Sequence, residues 1–367
     1  MNGAPRRIPS LDGLRAVSIL MVLCGHSLAT LPKGWRVPAL LDPILHNASM
    51  GVMVFFVLSG YLITQLLLHE LDDSGRIDLR AFYLRRSLRI FPVFYGYLLV
   101  LGLLAWFGVM LIGPKQFLAA GTFLWNYKLL LLGDGHDEGE WYLGHFWSLA
   151  VEEQFYLLWP ALLGWLGVRR AARVCVVALA LLPLVRIATY FLYPPARPVI
   201  SIMFHTASDP IIAGCLLALA PRVLGGESRL RLPSGRWVAV AVVFALVISP
   251  WLRKWFAGYY HATVGPLLET GAITLVVAWL VAHADSPPGR LMNARPMTWL
   301  GRLSYSLYVW NQPFLTTMNH TWSGLFPLNL LCNFVAAWFS QQLLEKPFLR
   351  WRERLRANRT AVAAQPQ

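Results

Sequence analysis

A chain of 367 residues that is 57% hydrophobic and only 14% charged, with a mean hydropathy of +0.52, has too little polar surface for a water-soluble fold of its size. Its net charge of +14 does not point to nucleic acid, because the basic residues recur at the ends of apolar segments instead of gathering into one domain. The four cysteines (Cys24, Cys175, Cys215 and Cys332) lie in apolar runs without paired or metal-type spacing, which argues for buried free thiols and against a disulfide framework.

At about 20 apolar residues per crossing, the sequence predicts an all-α, polytopic membrane bundle of about ten helices. The first begins near Leu11 and carries Arg15 and His26 in the run RAVSILMVLCGH. Eleven residues at about 100° each make roughly three turns, so both side chains share one face, about 16 Å apart. An ionisable group at membrane depth costs roughly 2.5–3.5 kcal/mol, so two on one face mark a functional site. A buried neutral imidazole at His26 is a candidate general base, the alternative being a core histidine bonded to a neighbouring helix. Asp12 stands one turn before Arg15 and can pair with it. No small-residue cleavage site follows, so the segment reads as a retained helix, not a leader.

The second helix begins near Met50 and contains GVMVFFVLSGYLIT. Ser59 there lacks the G-x-S-x-G strand–turn–helix of a nucleophile elbow, and Ser59 and Gly60 read as small residues for close helix packing. YLRRSLRIFP, Tyr83 to Pro92, follows and leads into the third helix near Ile90. Its Arg85, Arg86 and Arg89 serve as topology signals or as a forked clamp for phosphates. The apolar stretch from Phe117 to Leu132 is too short to span and holds Asn126 and Lys128, as expected of a re-entrant or interfacial piece. GDGHDEGEWYLGH has two histidines and four acids but no metal-site spacing, and no metal is expected.

The fourth helix begins near Phe146 and sets Glu152 and Glu153 among aromatic residues, about 100° apart, so that one of them readily faces a shared cavity. Either can accept a proton, orient His26 or bind a hydroxyl, or simply bond another helix. Further helices begin near Ala172, Ser201, Trp237, Thr263, Trp299 and Phe326. The ninth, in SYSLYVWNQP, offers Ser304, Tyr305, Tyr308 and Asn311 to a polar cavity.

Charge orients the bundle with both termini cytoplasmic. The inner side then receives most of the 32 Lys and Arg residues: Arg6 and Arg7, the Arg76 to Arg89 group, Arg169, Arg170 and Arg173, Arg222, Arg229, Arg231 and Arg236, Arg290 and Arg295, and the tail. Only Lys33, Arg36, Lys115, Lys128, Arg197, Arg253 and Lys254 fall outside. No internal repeat or low-complexity linker divides the chain. One membrane domain over 1–350 is expected, followed by a basic, partly disordered tail over 351–367.

Taken in order, these segments resemble the acyltransferase-3 family of integral membrane O-acyltransferases. The family's Arg-x10-His is similar to Arg15 and His26 after LDGLRA. FFVLSGYLI (Phe55 to Ile63), the R-x-x-R of Arg86 and Arg89, and the WSLxxEEQFYLLWP block (Trp147 to Pro160) match its patterns. So do the late aspartate Asp209 before a small-residue helix, SYSLYVW (Ser304 to Trp310) and EKPF (Glu345 to Phe348). The chain departs at Asn311, where the family usually has histidine; an amide cannot shuttle protons, which leaves that work to His26 and Glu152. It also ends without the esterase-like domain that some relatives append, so a second transfer step would fall to a separate partner, or be absent.

The resemblance implies transfer of an acyl group, by family default acetyl, from cytoplasmic acyl-CoA to a hydroxyl of a carbohydrate or glycoside. His26, Glu152 and Arg15 would be catalytic. Arg85, Arg86 and Arg89 would hold the donor phosphates, and Asp12, Glu153, Asp209, Ser304, Tyr305 and Tyr308 would line the site. Acyl-CoA is then a co-substrate, with no cofactor or nucleic acid, in a multi-pass protein of the bacterial cytoplasmic membrane. A transporter or exporter of acyl groups is the alternative, although no paired broken helices mark an inverted repeat. A non-catalytic envelope scaffold is the third reading, and it requires that Arg15 and His26 tolerate apolar replacement.

Overall fold

The computed structural model describes residues 8–133, 138–226 and 232–351, and all regular structure among them is helical. Arg6, Arg7, His136, Arg229, Arg231 and the tail beyond Trp351 lie outside the described residues. The principal helices are α1 (Pro9–Ser27), α2 (Ala48–Ser74), α3 (Leu79–Trp106), α4 (Phe146–Leu192), α5 (Asp209–Leu224), α6 (Gly235–Ala262), α7 (Gly265–Ala282), α8 (Arg295–Trp310) and α9 (Leu328–Ser340). Six segments, containing α1, α2, α3, α4, α6 and α7, are long and apolar enough to cross a membrane. This is a multi-pass membrane protein.

The structure redraws several expected boundaries. The expected fourth and fifth helices follow each other directly within α4 and are parted at Gly167, a few residues before the expected start of the fifth, where a φ of 68° lies in the left-handed region that glycine enters freely. The third helix starts at Leu79, capped by the Asp78 side chain on the Ala81 amide at 2.9 Å, so the arginines expected ahead of it belong to its first turns. The sixth starts at Asp209, where Pro210 occupies the first turn and needs no amide partner. α5 and α8, of 16 residues each, are shorter than a typical crossing, while the helix of α9 continues past Ser340 through a π-helical turn, Gln341–Glu345, to Trp351.

Between Phe117 and Leu132 the chain forms short helical pieces, Pro114–Gly121, Trp125–Tyr127 and Lys128–Leu132, and not a span. Asn126 is buried there and exchanges amide bonds with Gln154 of α4 at 3.0 Å, which fixes this irregular segment against the bundle.

Small residues set the closest helix crossings. A Cβ on Gly60 of α2 would lie 2.0 Å from the Ile211 carbonyl of α5, and one on Gly214 would lie 2.1 Å from the Val57 carbonyl of α2. Only glycine at both positions permits this approach. The reading of Gly60 as a packing residue holds. α1 packs along α2 and α8, so the face carrying Arg15 and His26 is enclosed between them.

Candidate active site

Helical spacing explains which expected residues converge. Arg86 and Arg89 are three residues apart on α3 and share a face; Arg85 is turned about 100° from Arg86. Both Arg86 and Arg89 line one cavity among α1, α2, α3, α4 and α8. Arg85 does not line it and instead pairs with Glu70 at 2.8 Å, which separates it from the other two arginines.

Arg15 of α1 joins them in the cavity wall, as do Ser59 with Phe55 and Phe56 of α2, Ser148 and Glu152 of α4, and Ser304, Tyr305 and Tyr308 of α8. The Arg15 guanidinium lies 4.0 Å from Asp12, and its buried Nε has no hydrogen-bond partner. An unmatched buried cationic donor at the cavity wall suits an anionic ligand.

The two adjacent glutamates divide as their geometry requires. Glu152 faces the cavity and accepts from the Ser59 hydroxyl at 2.5 Å, while Ser59 accepts from the Tyr156 hydroxyl at 2.6 Å. Glu153 turns to Arg86 and accepts from its Nε at 3.3 Å. Arg86 also stands 3.9 Å from Glu152 and stacks on the Tyr156 ring at 3.8 Å. Across the cavity, Ser148 and Tyr308 share a hydroxyl–hydroxyl bond of 2.6 Å, and Tyr308 donates to the His145 carbonyl at 2.8 Å.

His26 is three turns beyond Arg15 and is not part of this wall. Its Nδ1 is 2.7 Å from Oδ1 of Asn311, and its ring centroid is 6.0 Å from that of Trp141. The expected option that Glu152 orients His26 is replaced: Glu152 bonds Ser59, and Asn311 at the end of α8 takes the place beside the imidazole. His145 lies nearby, its Nε2 3.1 Å from the Val309 carbonyl of the same helix end.

Asp209 also stands outside the cavity. It is fully buried and holds Arg186 of α4 in a two-pronged pair at 2.9 and 3.1 Å. Among the described residues no group of three or more His, Cys, Asp or Glu side chains is placed to hold a metal ion.

Sequence reasoning passed over Ser148, Tyr156 and His145, and read Ser59 only as a packing residue. Ser148, Glu152 and Tyr156 recur at four-residue spacing and form one stripe of α4, a signal that was readable once Glu152 was singled out. Ser59 was masked by its glycine neighbour, because one packing explanation was given to both.

The family model described as an acyltransferase domain, that of the acyltransferase-3 family, matches residues 8–340. Among similar proteins, one of Bacillus subtilis, provisionally named a peptidoglycan O-acetyltransferase, is 29% identical over 93% of this chain and 55% of its own length. The peptidoglycan O-acetyltransferase of Listeria monocytogenes is 25% identical over the same shares. A provisionally named O-acetyltransferase of Staphylococcus aureus is 26% identical over 95% of this chain and 59% of its own. The chain thus spans about half the length of the curated relatives it matches. No solved structure matches it at a significant level. These findings do not favour the exporter alternative.

Proposed function

Since the chain belongs to the acyltransferase-3 family, we propose that it moves an acyl group, acetyl by preference, from cytoplasmic acyl-CoA to a hydroxyl of an envelope carbohydrate. Peptidoglycan is the leading acceptor class, from the names of the relatives in Bacillus subtilis and Listeria monocytogenes. The protein resides in the bacterial cytoplasmic membrane, crossing it about ten times, with α4 counted as two crossings about Gly167, the shorter α5 and α8 counted as spans, and both termini inside.

The observation that carries this reading is the convergence of Arg15, Arg86 and Arg89 with Ser59 and Glu152 on one cavity. The arginines supply the charge and forked donors that the donor's phosphates require. From Arg15 to His26 is about 16 Å along α1, comparable with an extended pantetheine arm. An arm of that length could carry the thioester beyond the cavity wall to the imidazole while the phosphates stay at the arginines.

In the transfer step, His26 Nε2 takes the acceptor hydroxyl's proton as its oxygen bonds to the thioester carbonyl carbon. The carbon–sulfur bond breaks, and the CoA thiolate leaves and collects that proton from His26. Holding both reactants oriented beside His26 would supply much of the rate. Glu152 keeps Ser59 and Arg86 in position and offers its carboxylate to a substrate hydroxyl or amide.

The test is incubation of membranes containing the wild type or His26→Ala with acetyl-labelled acetyl-CoA, following label into glycan, lipid and small-molecule fractions. Label entering glycan only with the wild type supports the proposal. Equal labelling with a folded His26→Ala protein removes the assigned base.

A further inference from the structure

Asn311 is completely buried at the end of α8 and makes two contacts that fix its amide. One side faces the backbone carbonyl of Tyr308, which can only accept, so that side is the Nδ2 amino group and donates to it. The other side is therefore Oδ1, 2.7 Å from His26 Nδ1. An amide oxygen can only accept, so the proton of a neutral His26 imidazole must sit on Nδ1. The lone pair is then on Nε2.

We infer that Asn311 is a positioning residue that locks His26 in the Nδ1–H tautomer and so presents Nε2 as the acceptor of the substrate proton. The inference rests on His26 being the base, and it turns a departure from the family pattern into a working part. Asn311 need not move a proton; it dictates which nitrogen carries one. Loss of the correct tautomer in hydrolytic triads costs up to about 10⁴-fold in turnover, and loss of the partner that orients a metal-bound imidazole costs about 10–100-fold.

The helix end repeats the device on a second ring. The His145 Nε2 faces the Val309 carbonyl at 3.1 Å, which requires Nε2–H, and its Nδ1 is buried without a partner. Two acceptors two residues apart on α8 thus impose opposite tautomers on two histidines from different helices.

The test uses detergent-purified full-length protein with acetyl-CoA and the acceptor fraction identified by labelling. Asn311→Leu removes the acceptor atom with little change of volume, and Asn311→Asp keeps an acceptor oxygen at the same reach; both give up the amide donor to the Tyr308 carbonyl, so the pair isolates the acceptor. The expected result is a 10–100-fold fall in kcat for Asn311→Leu with the acetyl-CoA KM within about twofold, and recovery to within about fivefold of wild type for Asn311→Asp. Where the leucine variant does not fold, Asn311→Ser, whose hydroxyl is too short to reach His26, carries the same expectation.

Wild-type turnover in the folded leucine or serine variant overturns the inference. So do equal losses with leucine and aspartate, or a change confined to KM, either of which assigns Asn311 to packing or to its bond with Tyr308. If His26→Ala retains full activity, the failure belongs to the assignment of the base and not to Asn311.

Discussion

The guanidinium of Arg86 lies 3.8 Å above the ring of Tyr156, with its Nε bonded to Glu153 and Glu152 at 3.9 Å. A planar cation is needed for the stack and the fork together, and the compact ammonium of lysine cannot supply both. Arg86→Lys is expected to fold and to raise the acyl-CoA KM about tenfold, read from initial rates at saturating acceptor. Arg86→Ala leaves two buried carboxylates without their cation and should lose about 3–5 kcal/mol of stability, visible as a lowered melting temperature in detergent.

The neighbouring glutamates should separate cleanly by mutation. Glu152→Gln keeps shape but removes the charge that accepts from Ser59 inside the cavity. Its turnover should fall by about 10² while the protein stays monodisperse on gel filtration. Glu153→Gln loses its charge against Arg86 outside the cavity wall, so its effect should appear first in thermal stability and donor KM. Equal turnover losses from both changes would contradict this division.

Asp209 and Arg186 provide the contrasting case of buried charges that belong to the scaffold. Asp209→Ala should strand the Arg186 guanidinium, which is 1% exposed, and cost about 3–5 kcal/mol. The double change Arg186→Met with Asp209→Leu should recover most of that loss, because it removes the uncompensated charge and fills its space. Turnover per folded molecule should stay near wild type in the double variant. A dead but stable double variant would place this pair in the chemistry.

The helical class, the inward face of α1 and the pairing of Arg86 with Arg89 were legible because each depends only on composition or on a 3.6-residue period. Ser304, Tyr305 and Tyr308 share one face of α8 for the same reason. Contacts between helices were not legible. Arg85 pairs with Glu70, Asp209 with Arg186, and Asn311 with His26 across 285 positions, none of which follows from the period of a single helix. Such pairs depend on crossing geometry, and at α2 and α5 that geometry rests on two glycines.

Those glycines permit a prediction with an internal control. Gly60→Ala places a methyl group 2.0 Å from the Ile211 carbonyl, and Gly214→Ala places one 2.1 Å from the Val57 carbonyl. Backbone cannot yield as a side chain can, so α2 and α5 must separate, carrying Ser59 away from Glu152. Each variant should lose about 1–3 kcal/mol by overpacking and also lose activity, since Ser59 is the residue next to Gly60. Gly102 lies within α3, and a Cβ there meets nothing within 4 Å. Gly102→Ala should therefore stabilise by about 0.4–1 kcal/mol and leave turnover unchanged, because alanine only reduces the freedom of the unfolded chain. Melting curves and initial rates of the three variants check the whole set: a tolerated Gly60→Ala would mean that α2 and α5 do not cross as closely as the site geometry requires.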